Sequence, residues 1–155
     1  MFTVTAKDRD VVITGMNAIT RRNIANEITV YTKPGTYRTE GNASPIVAEL
    51  HAEEWTEIYR GEIPSQEKRL VSLNDFATSV TIGAGQTQSF YAYVKYGLLY
   101  TAAAAAVTAE GASGIDEIAA EDAGIIIHEG QVTRGLFQRV VGRGRWGGEM
   151  RYRLA

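Results

Sequence analysis

Cysteine is absent from the 155 residues, which excludes disulfides and thiolate metal sites. That absence fits a reducing compartment, although a domain of this size also manages without disulfides outside the cell. Histidine is almost as scarce. His51 and His128 are the only two, far apart in the chain, and neither has a carboxylate or second histidine at ligand spacing within a recognisable motif. No Gly-x-Ser-x-Gly elbow is present to carry a nucleophile, so the expectation is a protein that is not an enzyme, with no catalytic residues, no cofactor and no metal. No apolar run approaches the twenty residues that a membrane-spanning helix needs, which predicts no transmembrane segment. The first eight residues lack the basic and then apolar layout of a signal peptide, so an exported form implies a leader already removed, and the compartment stays open. No internal repeat of fixed period is visible.

What the chain does contain is β-strand patterning. With 45% hydrophobic and 22% charged residues it has an ordinary globular composition. At this length a single domain over residues 1–155 buries about 68–70% of the unfolded chain's surface. The clearest segment is residues 86–96, entered through the glycine turn Gly83-Ala84-Gly85. There Phe90, Ala92, Val94 and Tyr96 fall on one side, and Ser89, Tyr91, Tyr93 and Lys95 on the other, a period of two. Residues 2–6, 11–19, 27–32, 55–61, 70–73, 80–82, 98–101, 124–129 and 149–154 carry further strand signals. The turn Lys33-Pro34-Gly35 ends one of them. Residues 130–148, rich in glycine and arginine, are expected to be loop.

Residues 102–123 break the rhythm with five consecutive alanines and a cluster of acids. Ser113 followed by Asp116 suits a helix start and Gly124 a helix stop, which predicts a short helix near residues 115–122. The expected fold is all-β, a jelly-roll-like antiparallel β-sandwich of eight to ten strands with a short helical insertion near residues 102–123. Its core candidates are Val11, Ile13, Ile28, Val30, Trp55, Ile58, Val80, Ile82, Phe90, Val94, Ile125, Ile127 and Tyr152.

Several stretches occur in a suggestive order: 30–37 (VYTKPGTY), Trp55 and Ile58, 84–91 (AGQTQSFY), 126–130 (IIHEG) and 145–148 (RWGG). This order resembles a β-sandwich domain that recurs in proteins of diatoms and some marine bacteria, often in multi-domain or surface contexts. The likeness covers roughly residues 10–154 apart from 102–121. It consists of turns, a core tryptophan and an aromatic strand, so what it implies is the fold, and no catalytic residues come with it.

Four groups of residues are candidates for chemistry. Gly142-Arg143-Gly144-Arg145-Trp146-Gly147 has the Gly-x-Gly-x-x-Gly spacing, but a strand-like segment follows where a dinucleotide site needs a helix. A glycine loop that folds Trp146 back onto the sandwich accounts for it better. The acids Asp116, Glu117, Glu121 and Asp122 offer oxygen ligands for calcium, yet on a helix they more simply form a solvated face. The arginines Arg134, Arg139, Arg143, Arg145, Arg151 and Arg153 concentrate positive charge at one end. Residues 1–128 carry ten Lys/Arg against sixteen Asp/Glu, whereas residues 129–155 carry six Arg against two Glu. Overall acidity disfavours nucleic acid, and these arginines and acids fit ion pairing within the fold or an interface with the chain itself or another protein.

Tyr31, Tyr59, Tyr91 and Tyr93 form the group with a binding character, because a tyrosine face stacks on sugar rings while its hydroxyl hydrogen-bonds. The same side chains serve equally well as the seam of a protein contact or as a face buried beneath a loop. Two functions are therefore expected. One is a non-catalytic structural or interaction module that self-associates or docks on a surface partner. The alternative is a carbohydrate-binding module that takes a glycan on its tyrosines.

Overall fold

The computed structural model of the chain describes residues 1–19, 26–37, 50–64, 70–95, 100–101, 118–138 and 140–155. Within them the chain is an antiparallel β-sandwich whose single helical element is a 3-10 turn, Ala52–Glu54. In chain order the strands are β1 (Phe2–Ala6), β2 (Val11–Ile19), β3 (Asn26–Pro34), β4 (Thr56–Ile63), β5 (Leu70–Ser72), β6 (Val80–Ile82) and β7 (Thr87–Val94). They continue with β8 (Tyr100–Thr101), β9 (Ile118–Glu121), β10 (Ile125–His128), β11 (Gly130–Thr133), β12 (Val140–Trp146) and β13 (Glu149–Leu154). The described strands number thirteen, more than the eight to ten expected.

One layer is a six-stranded sheet in the order β4-β3-β7-β1-β10-β9. The other is built around β2, which pairs with β13, β5 and β6, and a smaller sheet β11-β12-β8 completes the fold. Neighbours such as β7 beside both β3 and β1 are distant in sequence, so long connections set the sheet order, as in a jelly roll. Alternation decides which side chains enter the core. Phe2, Val4 and Ala6 of β1, Ile28 and Val30 of β3, and Phe90 and Val94 of β7 point between the layers, where they meet Val11, Ile13, Met16 and Ala18 of β2. Each fully buried Val, Ile or Phe there contributes about 1.5–3 kcal/mol relative to exposure.

Two bulges change the phase of that alternation. In β2 the pairing with β13 passes from Gly15↔Arg151 to Ile13↔Tyr152 and leaves Thr14 unopposed, so the buried positions switch from Val11 and Ile13 to Met16 and Ala18. In β4 the pairing with β3 passes from Glu57↔Tyr31 to Tyr59↔Val30 and leaves Ile58 unopposed. A residue added to one strand rotates everything beyond it onto the other face.

Three expectations are corrected. Of the predicted helix, residues 118–121 are strand β9, laddered to β10, and Asp122 begins the turn that follows; residues 115–117, with most of the 102–123 insertion, lie outside the described residues. Residues 130–148, expected to be loop, contain β11 and β12, paired from Gly130↔Gly144 to Thr133↔Val140. The Gly-x-Gly-x-x-Gly stretch is thus largely strand, although Trp146 does fold back and stacks on Phe2 at 5.3 Å between ring centroids. Trp55 is buried, but in a separate cluster on the far side of the six-stranded sheet.

Candidate ligand-binding groove

The outer face of the six-stranded sheet carries the residues that alternate with the core: Glu27, Thr29, Tyr31 and Lys33 on β3, and Thr87, Ser89, Tyr91 and Tyr93 on β7. Register brings them together, since Tyr31 pairs with Tyr91 and Thr29 with Tyr93. Tyr31, Tyr91, Trp55 and Tyr37 form a second buried cluster against which Tyr93, Phe137 and Met1 pack. Ring centroids lie 5.7 Å apart for Trp55–Tyr91, 5.2 Å for Tyr91–Phe137 and 5.0 Å for Tyr31–Phe137, all edge-on. Such pairs contribute about 0.5–1.5 kcal/mol each beyond the area they bury. Lys33 reinforces the arrangement, ion-paired with Glu54 and 5.8 Å from the Trp55 ring centroid.

Tyr91 is the centre of this cluster and only 2% exposed. Its hydroxyl donates to the Gly135 carbonyl at 3.0 Å, accepts from the Phe137 amide at 3.1 Å, and lies 2.9 Å from the Thr133 hydroxyl. One phenol thereby pins the turn after β11 over the sheet. The turn closes with Gln138 N–H donating to the Gly135 carbonyl, and Phe137 sits in it at φ 50°, a left-handed conformation that costs a residue with a Cβ about 1–2 kcal/mol. Burial, the largest influence, pushes the Tyr91 phenol above its ordinary pKa, with the Thr133 and Phe137 hydrogen bonds opposing it. The hydroxyl thus keeps its proton at neutral pH and remains able to donate.

Beside the pinned turn the outer face stays open as a groove of about 400 Å³, lined by Asn26, Glu27, Thr29, Tyr31, Arg60, Tyr93, Lys95 and Leu136. That volume lies within the range of small-ligand sites. Tyr93 is half-buried and presents the larger aromatic surface; Tyr31, 9% exposed, lies deeper. Burial, followed by the Glu57 carboxylate, raises the Tyr31 phenol above its usual value. Arg60 forms the polar rim. Its Nε and one terminal nitrogen donate to the two carboxylate oxygens of Glu57 at 3.0 and 2.6 Å, and its other terminal nitrogen donates to Glu27 at 3.3 Å. The hydrogen bond from Arg60 is the main reason that Glu57 titrates below the usual carboxylate range.

Of the four tyrosines singled out in the sequence, Tyr31 and Tyr93 line the groove and Tyr91 lies beneath the turn that walls it. Tyr59 does not join them. The Ile58 bulge turns it to the inner face, where it packs on the main core and meets Phe76 at 6.1 Å. Sequence reasoning missed Asn26, Arg60 and Leu136. Glu27, Thr29 and Lys95 share the tyrosines' face by simple alternation, and that is the signal which locates them.

Four of the ten charged candidates are engaged inside the fold. Arg145 pairs with Glu129, which is 2% exposed. Arg151 reaches Asp75 at 3.0 Å and the Leu73 carbonyl. Glu121 pairs with Lys7 at 2.8 Å. Asp122 accepts from the Tyr152 hydroxyl at 2.7 Å and from the amides of Gly124 and Ile125, closing the turn between β9 and β10. Arg134 and Arg153 are exposed. Arg143 lies on β12 opposite Gln131, and Arg139, Asp116 and Glu117 lie outside the described residues. Of the histidines, His128 packs its Nε2 3.0 Å from the Thr5 hydroxyl, and His51 is exposed beside Glu53. Among the described residues no three His, Asp or Glu side chains gather to hold a metal ion, and no helix is long and apolar enough to cross a membrane.

No protein-family model, curated protein or solved structure matches this chain.

Proposed function

We propose that the chain is a non-catalytic recognition module that holds a glycan in the groove between β3, β4 and the turn after β11. The observation that carries this reading is the convergence of Tyr31 and Tyr93 on one groove whose rim combines an amide, a carboxylate, a guanidinium and an ammonium. A pyranose presents apolar C–H faces and a ring of hydroxyls. Tyr93 supplies the flat apolar surface for the first, and Asn26, Glu27, Arg60 and Lys95 supply donors and acceptors for the second. The pinned turn fixes Leu136 as one wall, so the site needs little ordering when it fills.

Titration calorimetry against soluble oligosaccharides, preceded by a glycan array to choose them, tests the reading. Tyr93→Ala is expected to weaken binding at least about tenfold, equivalent to about 1.4 kcal/mol. An array without a hit, or a hit indifferent to Tyr93→Ala, sinks it.

A second reading is an interaction module that self-associates through sheet edges, with a protein partner in place of a glycan. It is favoured by Ile118 on the edge strand β9 and Leu154 on the edge strand β13, both apolar and exposed. Sedimentation over a salt and concentration series tests it, and a monomer throughout excludes self-assembly.

A further inference from the structure

We infer that the groove selects uncharged glycans over acidic ones, and that Glu27 and Arg60 determine this specificity; the inference rests on the glycan reading above. An arginine recognises a carboxylate or sulfate by turning its planar fork of N–H groups onto two oxygens. In Arg60 the bidentate edge formed by Nε and one terminal nitrogen is already occupied, and of the two N–H groups left over, one is on the nitrogen that Glu27 holds. Nε and one terminal nitrogen engage both oxygens of Glu57, and the remaining terminal nitrogen engages Glu27. An anionic sugar would have to displace Glu57 to reach the bidentate edge, and would do so beside the carboxylate of Glu27.

The charge balance of the rim points the same way. Glu27 and Glu57 stand against Arg60 and Lys95, so the groove has no surplus positive charge to draw in a polyanion. Repulsion from Glu27 remains, because that side chain is well exposed and lies on the lining itself. A neutral sugar meets none of this. Its hydroxyls can donate to Glu27, whose carboxylate has lone pairs to spare beyond the one Arg60 contact, and can accept from Asn26 and Lys95. The Arg60–Glu57 pair, which also reaches Glu27 through the other terminal nitrogen, need not break.

The test compares neutral hexose and pentose polymers with polyuronates and sulfated galactans, using the whole chain, its Glu27→Gln and Glu27→Lys variants, and Tyr93→Ala. Glu27 is exposed, so circular dichroism should show all Glu27 variants folded. The wild type is expected to prefer a neutral glycan at least about tenfold over acidic ones. Glu27→Gln should lose neutral affinity several-fold while its selectivity narrows, and Glu27→Lys should gain acidic binding by about tenfold. If the wild type prefers an acidic glycan and Tyr93→Ala abolishes that binding, the selectivity inference is wrong while the glycan reading stands. If no glycan of either class binds, both fall together.

Discussion

Replacing Tyr91 with phenylalanine removes one oxygen atom and, with it, the hydrogen bonds that tie Thr133, Gly135 and Phe137 to the sheet. The ring stays, and so do its edge-on contacts with Trp55 and Phe137 and its tilted contact with Tyr31. The substitution therefore separates the hydrogen bonds from the packing. Three partners lose the hydroxyl. The Thr133 hydroxyl is half-exposed and can turn to water at little cost, and the Gly135 carbonyl still accepts from Gln138. The Phe137 amide has no such second partner among the described hydrogen bonds, and leaving a covered donor unsatisfied costs about 1–3 kcal/mol. Part of that is recovered if the turn lifts, because Phe137 can then leave its left-handed conformation, which relieves about 1–2 kcal/mol.

The balance is a loss of about 1–2 kcal/mol, smaller than removing the whole side chain, for which about 3–5 kcal/mol is usual with a large aromatic. For a chain of this size that corresponds to a fall in melting temperature of about 2–8 °C. Thermal denaturation followed by near-UV circular dichroism reads the shift, and amide hydrogen exchange should show faster exchange confined to residues 133–138. A melting temperature within about 1 °C of wild type, together with unchanged exchange at Phe137, would refute the idea that this phenol holds the turn. If glycan binding is established, the same variant should lose affinity through Leu136 while Tyr93 remains in place.

Three further outcomes follow from the geometry. Arg145→Ala leaves the carboxylate of Glu129 buried without its cation, and chemical denaturation should show a loss of the order of 3 kcal/mol, the low end for breaking a buried pair because Arg145 itself is partly exposed. Gly130→Ala places a methyl group against the Met1 carbonyl, a backbone atom that cannot swing aside, so the variant should melt well below wild type; an unchanged melting temperature would mean that β1 and β11 are not in this close contact. Asp122, Glu54 and Glu57 all titrate below their ordinary values. For Asp122 burial opposes that shift, and the hydrogen bonds from Tyr152, Ile125 and Gly124 outweigh it. Carboxylates that bind protons less readily in the folded chain stabilise it above their unfolded pKa of about 4 and lose that contribution as pH falls through their folded values. The melting temperature should therefore hold near neutrality and decline below about pH 4, and removal of the Tyr152 hydroxyl should flatten part of the decline.

Much of the sandwich was legible because a half-buried strand writes its burial into a period of two. The segments 2–6, 11–19, 80–82 and 149–154 coincide with β1, β2, β6 and β13. Where the sequence misled, the deciding interaction was non-local. Residues 118–121 favour helix by local propensity, yet β10 offers them an unsatisfied row of backbone groups, and ladder formation outweighs differences of a few tenths of a kcal/mol per residue. Glycine in β12 lowers strand propensity in the same way, but the ladders to β11 and β8 use backbone atoms that glycine also has.

The groove divides along the same line. That Glu27, Thr29 and Tyr31 share a face, and that Tyr91, Tyr93 and Lys95 share another, is a matter of alternation within each strand. That the two sets meet depends on β3 pairing with β7 across some sixty residues of chain in the register that sets Tyr31 against Tyr91, a consequence of long-range topology that no local pattern encodes. The single extra residue at Ile58 then sorts the aromatic candidates. If Ile58 were instead paired with Val30 in a regular ladder, Tyr59 would stand opposite Thr29 on the groove side; with Ile58 bulged out, Tyr59 faces the core and Arg60 takes the position opposite Thr29. One bulge thus exchanges an aromatic platform for a guanidinium held by two acids, and it is this exchange that makes the rim polar and charge-balanced. Deleting Ile58 would keep Tyr59 opposite Val30 and Arg60 opposite Thr29, so the variant should lose the core packing of Ile58, about 2–5 kcal/mol by chemical denaturation, while the groove keeps its lining and its ligand preference.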